Sequence, residues 1–75
     1  MGKMVVRSIK VGSQVRVITE HSNYAGLRGK IVEVTQFGDS GMVEFPQAEI
    51  DSAYDSKRVQ QRVVHFYFRE LEQAD

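Results

Sequence analysis

The feature that most constrains this chain is a series of short strand patterns separated by turn signals, within only 75 residues. The segment SQVRVIT places Val15 and Val17 on one face, as a half-buried strand does. The runs KIVEV, MVEF and RVVHFYFRELE follow, and the last is dominated by β-branched and aromatic residues. Strands without a dependable helix must hide their edges, so the sequence predicts a small, strongly bent antiparallel β-barrel or half-barrel.

The length and composition limit how such a chain is stabilised. A chain of this size forms one domain with a small core. It contains no cysteine, so burial must stabilise it without disulfides or thiolate-bound metal. The segment MGKMVVRSIKVGSQV has scattered cations and no long apolar run, which argues against a signal peptide or membrane span and predicts a cytoplasmic protein. We expect residues 1–10 to form an N-terminal extension and residues 11–75 the barrel.

Turn-forming residues predict how the strands are connected. The tetrapeptide GDSG at residues 38–41 predicts a turn that joins KIVEV, continuing towards Phe37, to MVEF in a hairpin. In MVEF we expect Val43 and Phe45 to point to one side. Pro46 lacks an amide donor, so it is expected to end this strand or to lie at a sheet edge.

Residues 47–61 leave two interpretations open. One is a short helix capped by Asp51 or Ser52; the other, which we favour, is a long hairpin loop with one helical turn. The helical spacing that supports the first is formed by Ile50, Tyr54 and Arg58. In the strand that follows, we expect Val64, Phe66 and Phe68 on one face and Val63, His65 and Tyr67 on the other.

Two glycines three positions apart precede the second strand, in the segment YAGLRGKIVEV. A barrel bends sharply where a strand leaves a loop, and glycine tolerates the positive φ, bulges and close backbone approach found there. We therefore expect Gly29 to bend the barrel and Gly26 to shape the preceding loop.

The charges are unevenly distributed although the formal net charge is zero. Residues 1–32 carry six cations and one acid, whereas residues 33–56 carry six acids and no cation. Residues 57–75 are nearly balanced, with four cations and three acids. Two interpretations stay open: either the barrel has two opposed faces, one suited to a negative partner, or adjacent strands pair opposite charges.

Residue types that carry catalysis are sparse in this sequence. The only histidines, His21 and His65, lie on different predicted elements without metal-ligand spacing. The serines lie in turn or loop contexts without a nucleophile elbow, and the spacing of Gly26 and Gly29 lacks the following GK[ST] of a phosphate loop. We predict a non-enzymatic protein with no metal site and no cofactor.

The segment Val15–Val34, VRVITEHSNYAGLRGKIVEV, resembles the KOW motif: a strand, a loop with two glycines separated by two residues, and a second strand. MVEF stands where these domains have a third strand, and FYFRELE resembles the last strand and closing 3₁₀ turn of SH3-like barrels. The resemblance covers residues 11–73, apart from a longer stretch between Pro46 and Gln61. It implies an all-β, SH3-like antiparallel barrel of KOW type, with four to five strands and a short 3₁₀ turn near the C-terminus.

KOW domains, which resemble the C-terminal domain of the transcription factor NusG and several ribosomal proteins, dock on RNA, the ribosome or RNA polymerase. The resemblance implies that the loop 20–28, together with Lys30, contacts such a partner. Because cations suit phosphates and a tyrosine can stack on an unpaired base, the partner can be RNA or DNA as well as a protein. The candidate contact residues are Arg16, His21, Asn23, Tyr24, Arg28 and Lys30.

Three further possibilities concern protein partners. At Gly12–Val17 and Glu70–Glu72 the chain is similar to small stromal subunits of photosynthetic electron-transfer complexes, which implies a scaffold or docking subunit of a larger complex. An outward aromatic patch could bind a partner, unless residues 47–61 fold over it as a lid. The VVHFYF edge could also pair with a second copy, so we expect a monomer or weak self-association. The alternative partner face consists of Val63, His65, Tyr67 and Arg69.

Overall fold

The computed structural model describes residues 9–53 and 59–74. The strands are β1 (Gln14–Val17), β2 (Arg28–Val34), β3 (Ser40–Glu44), β4 (Val63–Tyr67) and β5 (Leu71–Gln73). They form one antiparallel sheet in the order β4-β3-β2-β1-β5. Helix α1 (Gln47–Ser52) follows β3, and a 3₁₀ turn (Phe68–Glu70) separates β4 from β5. The predicted fold class, a small all-β antiparallel barrel with this turn, is confirmed.

The core lies on the inner face of this sheet, where the strand alternation predicts it. Val15 and Val17 are buried, and on β4 only Phe66 is fully inside while its neighbours on either side face outward. Ile9, from the expected N-terminal extension, packs partly buried against the core. The buried hydrophobic residues are Val15, Val17, Leu27, Ile31, Val43, Phe45, Ile50, Val59, Phe66 and Leu71.

The two glycines of the second-strand segment have different physical roles. Gly29 is buried in β2, and a Cβ there would come 2.6 Å from Val43 Cγ1 and 2.7 Å from the Glu44 carbonyl oxygen. It is therefore required by the close approach of β2 and β3. Gly26 has φ of +83°, and its N–H donates to the Val17 carbonyl (2.8 Å). The close backbone approach expected at Gly29 and the positive φ expected in the loop at Gly26 are both found.

Strand β2 also contains an irregularity that adds curvature. Ile31 pairs with Val43, but Glu33 pairs with Met42, so the register shifts by one residue at Val32. A β-bulge of this kind bends the strand and increases its twist. Strand β2 therefore has two special positions, the close approach to β3 at Gly29 and the bulge at Val32.

The prediction of a turn at residues 38–41 between β2 and β3 is wrong for its last two residues. Ser40 and Gly41 belong to β3, and the turn lies earlier, closed by the Gly38 N–H donating to the Thr35 carbonyl (2.9 Å). The Thr35 N–H donates to the Ser40 carbonyl (2.9 Å), and the two hydroxyls lie 3.0 Å apart. These bonds satisfy the carbonyl and the hydroxyl of Ser40, which lets a turn-forming residue become buried at the start of a strand.

The segment after β3 begins with a helix whose predicted caps are wrong. Pro46 ends the strand region, as expected, and occupies the N-cap position of α1. Ser52 instead lies at the last position of the helix, where its hydroxyl donates to the Glu49 carbonyl (2.8 Å). Ile50 is buried in the core, which anchors this helix of six residues. Tyr54 and Arg58, from the predicted helical spacing, lie outside the described residues.

The C-terminal region contains one strand more than the four sequence patterns indicate. After the 3₁₀ turn, β5 pairs with β1, with Leu71 opposite Val17 and Gln73 opposite Val15. The 3₁₀ turn therefore brings the chain back beside β1, the first strand in the sequence. Across the described ranges, the structure has no helix that combines the length and apolar character needed to cross a membrane.

Candidate interaction surfaces

A groove of about 500 Å³ opens where the start of β2, the end of β3 and α1 meet. Gly29 and Pro46 contribute to its wall. Its charged lining consists of Arg28, Lys30, Glu44, Glu49 and Arg62. The groove thus presents three cations and two carboxylates to one volume, a mixed electrostatic environment with an excess of positive charge.

Opposite charges face each other across the sheet. Arg16 on β1 forms an ion pair with Glu72, its register partner on β5. Lys30 lies opposite Glu44 in the register of β2 and β3. Acids from later parts of the chain therefore lie beside cations from its first 32 residues. This arrangement favours the interpretation that adjacent strands pair opposite charges over that of two opposed charged faces.

A second acid approaches the cationic start of β2 from the helix. The Arg28 backbone N–H donates to Glu49 Oε1 (2.8 Å), which links α1 to β2. This carboxylate and that of Glu44 both line the groove. Any anion that enters the groove is therefore attracted by its cations and repelled by these two acids.

Tyr24, a candidate contact residue, is held against the core. Its ring stacks on Phe45 with centroids 5.1 Å apart and meets Phe66 edge-on at 6.0 Å. Its hydroxyl donates to the Gln61 carbonyl (2.9 Å), which joins the loop after β1 to the residues before β4. One face of the ring is thus occupied, and the residue has an architectural role in the structure.

The six candidate contact residues do not form one cluster. Arg28 and Lys30 share the groove, Arg16 is paired on the sheet, and Tyr24 packs against the core. The remaining two, His21 and Asn23, are exposed in the loop between β1 and β2. The loop is held by the Ser22 N–H donating to the Thr19 carbonyl (3.2 Å) and the Ala25 N–H donating to the Ser22 carbonyl (3.1 Å).

Arg62 is a groove residue that the sequence patterns do not indicate. It precedes β4, and its Nε donates to the Phe45 carbonyl (3.2 Å). The alternation pattern begins only after it, and the long connection from β3 hides its proximity to Lys30 and Arg28. Only knowledge of the strand register could have placed it in the groove.

The four side chains of the alternative partner face, by contrast, lie together on the outward side of the sheet. Val63 and Tyr67 are 44% and 42% exposed, and His65 is exposed between them. The His65 and Tyr67 rings meet edge-on with centroids 5.2 Å apart, and the Arg69 guanidinium lies 4.7 Å from the Tyr67 ring centroid. We call these four side chains the β4 surface. They form a continuous row of exposed apolar, aromatic and cationic groups at the edge of the sheet.

The described part of segment 47–61 does not act as the proposed lid. Ile50 and Val59 from this segment are buried in the core cluster, on the inner side of the sheet. Residues 54–58 lie outside the described residues. The β4 surface is consequently exposed with respect to the residues that the structure describes.

Comparison of the sequence with models of known protein families and with curated proteins found no match. The five-stranded antiparallel sheet alone does not identify a KOW motif, so that resemblance stays a prediction. Within residues 9–53 and 59–74, no three His, Asp or Glu side chains are grouped closely enough to hold a metal ion. The candidate surfaces are therefore interpreted from their own geometry and charge.

Proposed function

We propose that this chain is a non-enzymatic interaction module that docks through its β4 surface onto a protein component of the transcription or translation machinery. The observation that carries the proposal is the row of exposed side chains on β4, with Val63 and Tyr67 each more than two-fifths exposed. Contiguous apolar and aromatic groups on a strand at a sheet edge are typical of partner-binding surfaces. The KOW-like pattern of Val15–Val34 directs the proposal to this machinery.

The charge arrangement supports a protein partner over nucleic acid. Binding to nucleic acid gains most of its affinity from phosphates that cations neutralise. Here Arg16 is paired with Glu72, and Lys30 lies opposite Glu44. The predicted base-stacking residue, Tyr24, already packs on Phe45. The residues available for phosphate binding are therefore fewer than the sequence implies.

Direct nucleic-acid binding is a second candidate function, favoured by one observation. Arg28, Lys30 and Arg62 line the same groove, and none of them forms an ion pair with another residue of the described ranges. A single-stranded backbone could place a phosphate among these cations.

A scaffold subunit of a larger complex would use the same β4 surface as the first candidate and would remain bound to its partner.

Affinity purification from lysate with the tagged chain distinguishes these functions. Each sample is washed at low and high salt, with and without nuclease. The chain is compared with Tyr67→Ala, with Arg28→Ala/Lys30→Ala, and with Phe37→Ala as a matched control, because Phe37 is 82% exposed and lies in the turn between β2 and β3. Melting curves of all variants show whether each remains folded.

The proposal expects a protein partner that survives nuclease and high salt, is lost with Tyr67→Ala, and is retained by Phe37→Ala. Identification of that partner as a component of RNA polymerase or the ribosome would support the assignment to this machinery. A partner from another large complex would favour the scaffold function. Loss of all partners on nuclease treatment and in the Arg28→Ala/Lys30→Ala variant would refute the proposal and support nucleic-acid binding.

A further inference from the structure

We propose that the groove between β2, β3 and α1 binds a small zwitterion with two carboxylates and one ammonium group, of the size of an acidic dipeptide. The inference goes beyond the proposed function, because the groove and the β4 surface consist of different residues. It rests on a break in the strand ladder at Arg28 and on the mixture of charges that line the groove.

The ladder between β2 and β3 is interrupted at the end of the groove. Lys30 lies opposite Glu44, so the same register places Arg28 opposite Pro46. Proline has no N–H, and therefore it cannot donate to the Arg28 carbonyl. The Pro46 carbonyl accepts from two N–H groups of α1 instead (3.0 and 3.2 Å). Arg28 must consequently find other partners for its backbone groups.

Glu49 supplies a partner for only one of these two groups. The Arg28 N–H donates to Glu49 Oε1 (2.8 Å). The Leu27 carbonyl bonds towards β1, so both backbone groups of Arg28 point towards the β3 side. In the described part of the chain, no group donates to the Arg28 carbonyl. This carbonyl and the Glu49 carboxylate are therefore neighbouring acceptors, which suits an ammonium group with its three N–H donors.

The cations of the groove come from two other positions on its wall. Arg28 and Lys30 are two residues apart on one strand, so their side chains lie on the same face. The Arg62 Nε donates to the Phe45 carbonyl (3.2 Å), which holds this guanidinium beside β3 and leaves its terminal nitrogens for a ligand. Guanidinium groups bind carboxylates through parallel hydrogen bonds, so this part of the groove suits carboxylates.

The balance of charge favours a ligand that carries both signs. Three cations and two carboxylates line the groove, which leaves an excess of one positive charge. Lys30 and Glu44 face each other in register, yet the described residues show no ion pair between them. A simple polyanion would be repelled by both acids, whereas a ligand with two carboxylates and one ammonium group meets opposite charges throughout. The volume of about 500 Å³ is typical of small-molecule sites.

Titration of the full chain with the dipeptide Ala-Glu, followed by NMR of the backbone amides at low salt, tests the inference. We expect a dissociation constant of about 1 mM, with large shifts at Gly29 and Lys30 and small shifts at His65 on the β4 surface. N-acetyl-Ala-Glu lacks the ammonium group, and Ala-Gln lacks one carboxylate. Each control should bind about tenfold more weakly, since each removes a charge-assisted contact.

Three single variants separate the two parts of the groove. Glu49→Gln keeps an oxygen that can accept from the Arg28 N–H but removes the charge, so it should weaken binding of Ala-Glu and strengthen binding of N-acetyl-Ala-Glu. Lys30→Gln should weaken binding of both peptides. Arg69→Gln, the matched control, removes an exposed cation outside the groove and should change neither. Circular dichroism shows whether each variant is folded, and the peptide controls need no variant.

Several results would overturn the inference. Equal binding of Ala-Glu and N-acetyl-Ala-Glu would refute the ammonium site, and equally tight binding of inorganic phosphate would show a simple anion site. No shifts at the groove amides with about 20 mM Ala-Glu, or binding that Lys30→Gln leaves unchanged, would also overturn it. A lysate partner that is lost with Tyr67→Ala would support the proposed function whichever of these results is obtained.

Discussion

The close approach at Gly29 makes a quantitative prediction for Gly29→Ala. The added methyl group would overlap Val43 Cγ1 at 2.6 Å, the Glu44 carbonyl oxygen at 2.7 Å and Phe45 Cδ1 at 3.0 Å. Overpacking a core costs about 1–3 kcal/mol, and the Glu44 carbonyl is backbone within a paired strand, so we expect about 2–3 kcal/mol. In a domain of this size, that loss lowers the melting temperature by about 8–24 °C.

Urea unfolding followed by circular dichroism measures this loss. Gly26→Ala is the matched control, because a Cβ there has no heavy atom within 4 Å and the cost comes only from its positive φ. Val43→Ala removes one of the overlapping atoms, so Gly29→Ala/Val43→Ala should be less destabilised than the sum of its single variants by about 0.5–2 kcal/mol. When Val43→Ala is combined with Gly26→Ala instead, the losses of the two single variants should add. A loss below about 0.5 kcal/mol for Gly29→Ala would refute the reasoning.

Three further stability predictions are measured in the same way. Tyr24→Phe removes the hydroxyl bond to the Gln61 carbonyl and should cost about 0.5–1.5 kcal/mol. Arg16→Ala and Glu72→Ala should each cost less than about 1 kcal/mol, with a smaller loss at high salt, because the paired side chains are 43% and 41% exposed. Gln73→Met should stabilise the protein by about 1 kcal/mol, because Gln73 Oε1 is buried without a hydrogen-bond partner in the described ranges. A larger effect of salt on Tyr24→Phe than on Arg16→Ala would contradict these assignments.

The faces of the strands could be predicted because alternation is a local property. Val15, Val43 and Phe66 lie inside, as their spacing indicates. The start of β3 could not be predicted, because Ser40 has a turn-forming side chain whose bonds to Thr35 allow it to lie in a strand. These bonds depend on the strand pairing, which the local pattern does not contain.

The β4 surface could be predicted for the same reason, since its outward residues belong to one strand. The groove could not, because it combines residues from separate parts of the chain. Arg62 reaches it through the pairing of β3 and β4, and Glu49 reaches it through α1. The pairing of Arg16 with Glu72 joins positions 56 residues apart, so a charge count along the sequence could not reveal it.

That long-range pairing has a consequence for synthesis of the protein. Strand β1 lies between β2 and β5, and its partner residues on β5 come 56 positions later in the case of Arg16 and Glu72. On the ribosome, β1 and β2 can meet early, but one side of β1 stays unpaired until Leu71–Gln73 emerge. Closing such a distant contact is slow, and an open strand edge exposes the nascent chain to aggregation. Completion of β5 is therefore the step that covers the open side of β1.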